Sequence, residues 1–216
     1  EIKESIPRYT NLLEPNIKIN SDEEGVISFK GSCVQDNKTI KTGENEIKFE
    51  NLGKNIDHKD CKISLTDSSG NTSELIISTF HIDTIVPSVN LVQEIKSINN
   101  NPNPLIKISV SENGNLEFSG ECSSTTNYVN EGNSTIVLDV LEDDLYSECS
   151  LRAIDQAGNK SDFLKIPEFS IDTISPLVQI ISHISSPTKE SYPSFSLHTN
   201  ESGSLSFEKD SLCLSS

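Results

Sequence analysis

Apolar and polar residues alternate in short runs along most of the chain. In "LIKISV" (105–110) Ile106, Ile108 and Val110 share one face, and the turn "SENGN" follows at once. "LEFSGEC" then aligns Leu116, Phe118, Gly120 and Cys122, and "TIVLDV" aligns Ile136, Leu138 and Val140. "SECSLRAID" does the same for Cys149, Leu151 and Ala153, and "FLKIPEFSID" for Phe163, Phe169 and Ile171. A period of two, β-branched enrichment and turn residues between the runs predict strands. No stretch carries an apolar stripe of helical period with caps. The pattern predicts an all-β fold.

The same pattern recurs. "IDTIVP" at 82–87 returns as "IDTISP" at 171–176, 89 positions later. At that offset Pro15, Pro104 and Pro193 align, as do Glu23, Glu112 and Glu201, Gly25, Gly114 and Gly203, and Phe29, Phe118 and Phe207. Cys33 meets Cys122, and Gly43 meets Gly132. One residue drops out after Leu52/Leu141, so Cys61 meets Cys149 and Asp67-x-x-Gly70-Asn71 meets Asp155-x-x-Gly158-Asn159. The offset is restored at Phe80/Phe169 and Asp83/Asp172. A fixed period of this length marks tandem units. They are predicted at 1–85, 86–174 and 175–216, the last being the incomplete N-terminal half of a third. Six or seven short strands in about 90 residues predict a β-sandwich. In the third unit Phe195, Leu197, Leu205 and Phe207 are expected to lack an opposing sheet.

The 216 residues are 33% hydrophobic and 23% charged, as in a soluble globular chain. No apolar run reaches the roughly 18 residues of a membrane span, and nothing resembles a signal peptide. There is no methionine, even at position 1, which predicts an internal piece of a longer chain. The net charge of −16 argues against nucleic acid and anionic lipid as partners, and permits cation binding.

Five cysteines divide into two within-unit pairs, Cys33–Cys61 and Cys122–Cys149, and one remainder, Cys213. The pairs occupy matched positions and would close loops of similar length, each stabilising its unit by roughly 3–4 kcal/mol in the chain-entropy model. None shows a CxxC or Cys/His pattern, so zinc and thiol redox chemistry are disfavoured. Disulfides imply an oxidising compartment, here extracellular or the cell surface.

The units resemble the bacterial immunoglobulin-like repeats strung in tandem along large cell-surface proteins and adhesins. The residues that carry the resemblance are "GEC" (120–122), "EGNSTIVLDVL" (131–141), "YSECSLRAIDQAGNKS" (146–161) and the closing "FSIDTISP" (169–176). The first unit departs from it in the longer loop "GKNIDHKDC", and the third puts Cys213 two residues late. The resemblance implies tandem immunoglobulin-like β-sandwiches. In that topology the strands ending at Cys122 and starting near Cys149 are neighbours in one sheet, so their sulfurs can meet.

The immunoglobulin topology also gathers carboxylates at the joints. It places Asp83 near Glu112 and Asp155, and Asp172 near Glu201 and the "EDD" of Glu142, Asp143 and Asp144. Grouped carboxylates repel unless a cation sits among them, and calcium takes six to eight oxygens in flexible geometry; some relatives of these repeats bind calcium at such joints. The competing reading is that each aspartate only caps a turn before Thr-Ile-x-Pro, whose proline stiffens the linker. Asp67 and Asp155 likewise suit a side-chain turn in which Gly takes positive φ.

Candidate chemistry is otherwise sparse. His58 and His81 fall in the first unit and His183 and His198 in the third, and there is no phosphate-binding glycine loop or serine–histidine arrangement. No catalytic residue is predicted. Five Asn-x-Ser/Thr sequons, at Asn37, Asn71, Asn133, Asn159 and Asn200, are what a Ser/Thr/Asn-rich chain produces by chance. The leading expectation is a non-catalytic stalk whose partners are neighbouring repeats of the same chain, with any host or cell-surface ligand bound elsewhere in the full protein. The alternatives are a glycan- or protein-binding module and the accessory domains of a secreted enzyme. Against a binding module, aromatics make up only 6% of the chain and Trp is absent.

Overall fold

The computed structural model describes residues 1–206. Its elements are strands, with one short 3₁₀ turn at Gly31–Cys33, and the all-β class is as expected. Two apolar cores form. One gathers Ile17, Ile19, Ile27, Phe29, Ile47, Phe49, Ile63, Phe80 and Ile82 of the first unit with the Cys33 and Cys61 side chains. The other gathers the matching Ile106, Ile108, Leu116, Ile136, Leu138, Leu151, Phe169 and Ile171 with Cys122 and Cys149. No residue belongs to both.

Each unit pairs its strands in the same three sheets. In the second unit Leu105–Val110 lies between Val89–Gln93 and Gly132–Val137, both antiparallel to it. A four-stranded sheet runs Tyr128–Val129, Gly114–Ser119, Ser150–Asp155, Leu164–Lys165. The third is small: Phe169–Ile171 pairs parallel with Ile98–Asn99 and antiparallel with Leu145–Tyr146. The first unit reproduces this with Asn16–Ser21, Gly25–Lys30, Lys62–Thr66 and Phe80–Ile82 in the corresponding places. The alternation of Ile106, Ile108 and Val110, all at most 3% exposed, is what pins these registers, because a one-residue slip would turn the apolar set to water.

The two disulfides, Cys33–Cys61 and Cys122–Cys149, each join neighbouring strands of one sheet across a Cα separation of 5.2 Å. A glycine two residues before the first cysteine permits this approach. Gly31 and Gly120 have φ of 76° and 86°, and a Cβ on either would overlap the carbonyl oxygen of Asp60 or Glu148 opposite.

Two sequence expectations need correction. Val140 is not inward: the strand ends at Val137, Leu138 and Leu141 bond back to the carbonyls of Pro104 and Pro102, and Leu141 is buried while Val140 stands 71% exposed. Phe163 is also outside, with the Arg152 guanidinium 4.5 Å from its ring centre. Between Leu164–Lys165 and Phe169–Ile171 the chain crosses from one sheet to another, so the period of two does not carry through. Ile166 fills the core instead, its N–H bonded to the Cys149 carbonyl.

In the third segment Val178–Ser182 pairs with Ser196–Thr199 as an isolated two-stranded sheet. Phe195 and Leu205 are 40% and 60% exposed, whereas the residue that aligns with Phe195, Ile106, is fully covered. Phe207 and Cys213 lie outside the described residues.

Candidate functional site: the joint at Asp83

Ile82 is fully buried in the first core and fixes where the linker leaves. The next residue, Asp83, bonds through its N–H to the Thr10 carbonyl, and its Oδ1 accepts the Ile85 N–H at 2.9 Å. Thr84 then donates both N–H and Oγ1 to the Asn55 side-chain oxygen, at 2.8 and 3.0 Å. Pro87 is buried, and Ser88 donates its N–H to Ser111 Oγ. The linker is therefore held at nearly every residue.

On the receiving side the turn Asp155-x-x-Gly158-Asn159 closes on itself. Asn159 donates its N–H to Asp155 Oδ1 at 2.8 Å and its side-chain amide to Oδ2 at 2.7 Å, while Gly158 takes a φ of 93°. The same Asn159 amide donates across the joint to the Asp83 carbonyl at 3.0 Å. Asn11 of the first unit lies over Gly158.

Three carboxylates meet here. Asp83, Glu112 and Asp155 each place an oxygen within 4.8 Å of the others, and Asp155 is only 5% exposed. Burial, and then the neighbouring charges of Asp155, Asp83 and Glu131, push the Glu112 carboxyl above its usual range. The group fits a hard cation in donor type and charge. It supplies three side chains toward the six to eight oxygens calcium takes, with one Asp83 oxygen and both Asp155 oxygens already accepting N–H bonds.

The second joint repeats the linker but not the cluster. Asp172 bonds to the Asn99 carbonyl and its Oδ1 accepts the Ile174 N–H at 3.2 Å. Thr173 donates N–H and Oγ1 to Asp143, and Leu177 donates to Asn200. Asp143 and Asp144 are thus engaged in local capping, Asp144 by the Leu145 N–H. Among the described residues Asp172 and Glu201 join no group of three potential ligands. The expected second cation site is not assembled.

The Thr84–Asn55 and Thr173–Asp143 clamps were not foreseen from sequence. Their only signal was the repeated threonine of the "IDT" motif, because the acceptors fall in the loops where the units differ in length. The first two histidines are structural. His58 is 1% exposed, stacked 5.0 Å from Phe80, in the place where Tyr146 stacks on Phe169. His81 pairs through Nδ1 with Asp57, whose carboxyl it holds below the usual range with help from Arg8.

No protein-family model matches the chain, and no curated protein matches it.

Proposed function

We propose that the chain is a non-catalytic spacer of tandem immunoglobulin-like sandwiches, similar to the repeats of large bacterial cell-surface proteins and adhesins, that holds a distal element away from its anchor. The observation that carries this reading is the joint: two separately cored units are tied by a motif-encoded linker, Asp83-Thr84, clamped by Asn55 on one side and Asn159 on the other. Side chains invested in fixing a linker suit a stalk, where the relation between successive units determines reach. Two disulfides are compatible with an extracellular place, and no helix among the described residues is long and apolar enough to cross a membrane. Its partners are neighbouring repeats, and calcium at the Asp83 joint would neutralise the three carboxylates that meet there.

Small-angle scattering and binding panels test the reading together. A spacer gives a maximum dimension matching two units in series and no saturable retention on glycans or host proteins. A compact particle, or saturable binding, would favour a ligand-binding module instead.

A further inference from the structure

The turn that receives the linker has a twin at the far end of the first unit. Asn71 donates its N–H to Asp67 Oδ1 at 2.8 Å and its side-chain amide to Oδ2 at 2.8 Å, and Gly70 takes a φ of 88°. Asp67 and Asn71 also exchange the backbone bond that Asp155 and Asn159 make, at the same 3.0 Å. The two turns are the same device, and only their surroundings differ. Asn159 spends its second amide N–H on the Asp83 carbonyl, and Asn11 lies 3.7 Å from where a Gly158 Cβ would stand. Asn71 is exposed, its amide has no acceptor but Asp67 among the described residues, and a Cβ on Gly70 would meet nothing within 4 Å. A side-chain amide carries two N–H donors, so one remains to offer.

We propose that this end of the first unit is a receiving face for the aspartyl linker of another sandwich of the same kind. The occupant is an Ile-Asp-Thr-Ile-x-Pro segment, turned at its aspartate as Asp83 is, whose aspartyl backbone carbonyl accepts the second Asn71 N–H. The inference rests on the tandem-spacer reading and adds to it the contact by which one unit selects the next. Recognition is by a main-chain carbonyl held outward by the Asp-to-Ile85 turn, and the aspartate charge opposes it. Glu23, aligned with Glu112, and Asp67 stand at this end, as Glu112 and Asp155 stand against Asp83. An asparagine in the incoming segment keeps the turn-forming oxygen and the carbonyl while removing the repulsion, so it docks more tightly.

The test is a titration of the ¹⁵N-labelled full chain with a capped peptide of residues 80–88, following the Asn71 side-chain amide and the Gly70 N–H. Docking in trans is expected to be weak, with a dissociation constant of about millimolar, since a short linker supplies an effective concentration of that order in cis. The expected result is a saturable shift at Asn71 and Gly70 with Asn159 and Gly158 unmoved, and several-fold tighter binding by the Asp83→Asn peptide at low salt. Asn71→Ala abolishes the response, and a scrambled peptide gives none on the unaltered chain. No shift, an equal response to the scrambled peptide, or binding retained in Asn71→Ala would overturn the proposal. Scattering from the chain alone reads the spacer function separately, so the two can fail independently.

Discussion

Asn159 donates its side-chain amide to the Asp83 carbonyl at 3.0 Å while holding Asp155 Oδ2 at 2.7 Å. One residue thus closes a turn in the second unit and ties that unit to the first.

Asn159→Ala should therefore cost more than the same change at Asn71. Both lose the turn closure, but only Asn159 leaves a buried carboxylate oxygen without its donor, a loss of about 1–3 kcal/mol. Asp67 is less buried and water can replace Asn71. Denaturant unfolding of the two variants measures the difference, and equal losses would mean that burial at the joint contributes nothing.

Gly120 and Gly132 separate two demands made on glycine. Both have positive φ, 86° and 98°, so alanine at either position pays the left-handed backbone cost of about 1–2 kcal/mol. At Gly132 nothing lies within 4 Å of the added Cβ, whereas at Gly120 it overlaps the Glu148 carbonyl next to Cys149. Gly120→Ala should leave Cys122 and Cys149 partly unpaired in a thiol titration after oxidative refolding. Gly132→Ala should pair them fully.

Much of this geometry was legible because the chain contains itself. The 89-residue offset matched Cys33 to Cys122 and Asp67 to Asp155, and the structure gives the members of each matched pair the same strand, turn and disulfide roles. Periodicity failed at Val140 and Phe163 for one physical reason. A period of two assumes an uninterrupted strand, and at these points the strand ends or the chain changes sheets, so Leu141 and Ile166 enter the core out of phase. The joint was half legible. Asp83, Glu112 and Asp155 followed from topology, but the Asn159 bridge did not, since the sequence marks that asparagine as a turn former and does not show where its second amide N–H goes. Around Asp172 no such group forms among the described residues: Asp143 accepts from the Thr173 N–H and hydroxyl instead, and the position that Asp155 fills at the first joint has no counterpart there.

The carboxylates also set opposite pH dependences. Glu112 has its folded-state pKa raised, first by burial and then by Asp155, Asp83 and Glu131, so the folded state holds its proton more tightly than the unfolded. Its contribution favours folding below the unfolded value and is lost as pH rises through the folded one. Asp67 is lowered, first by the Asn71 side chain, so its contribution is present above the unfolded value and lost as pH falls through the folded one. Glu112→Gln should accordingly stabilise the chain at pH 7 and do little in acid. Asp67→Asn should destabilise at pH 7 and do less in acid. Unfolding curves across the carboxylate range check both, and a Glu112→Gln chain no more stable at neutral pH would remove the case for crowded charge at the joint.

Calcium should act on the same crowding. At about 1 mM, the extracellular range for weak sites, one ion among Asp83, Glu112 and Asp155 would replace repulsion with attraction. Each core stays folded without the ion, because the apolar clusters and disulfides stand apart from the joint. What changes is freedom at the linker: after chelation its hydrogen bonds to Thr10, Asn55, Ser111 and Asn159 hold it against the repulsion of the three carboxylates. Titration calorimetry should detect one site per chain, abolished by Asp83→Ala and kept by Asp172→Ala, since Asp172 joins no group of three potential ligands among the described residues. Scattering should show a narrower distribution of dimensions with calcium than with chelator, and none of that narrowing in Asp83→Ala. Absence of binding heat together with identical scattering in all conditions would leave Asp83 as a turn former that happens to face two other acids.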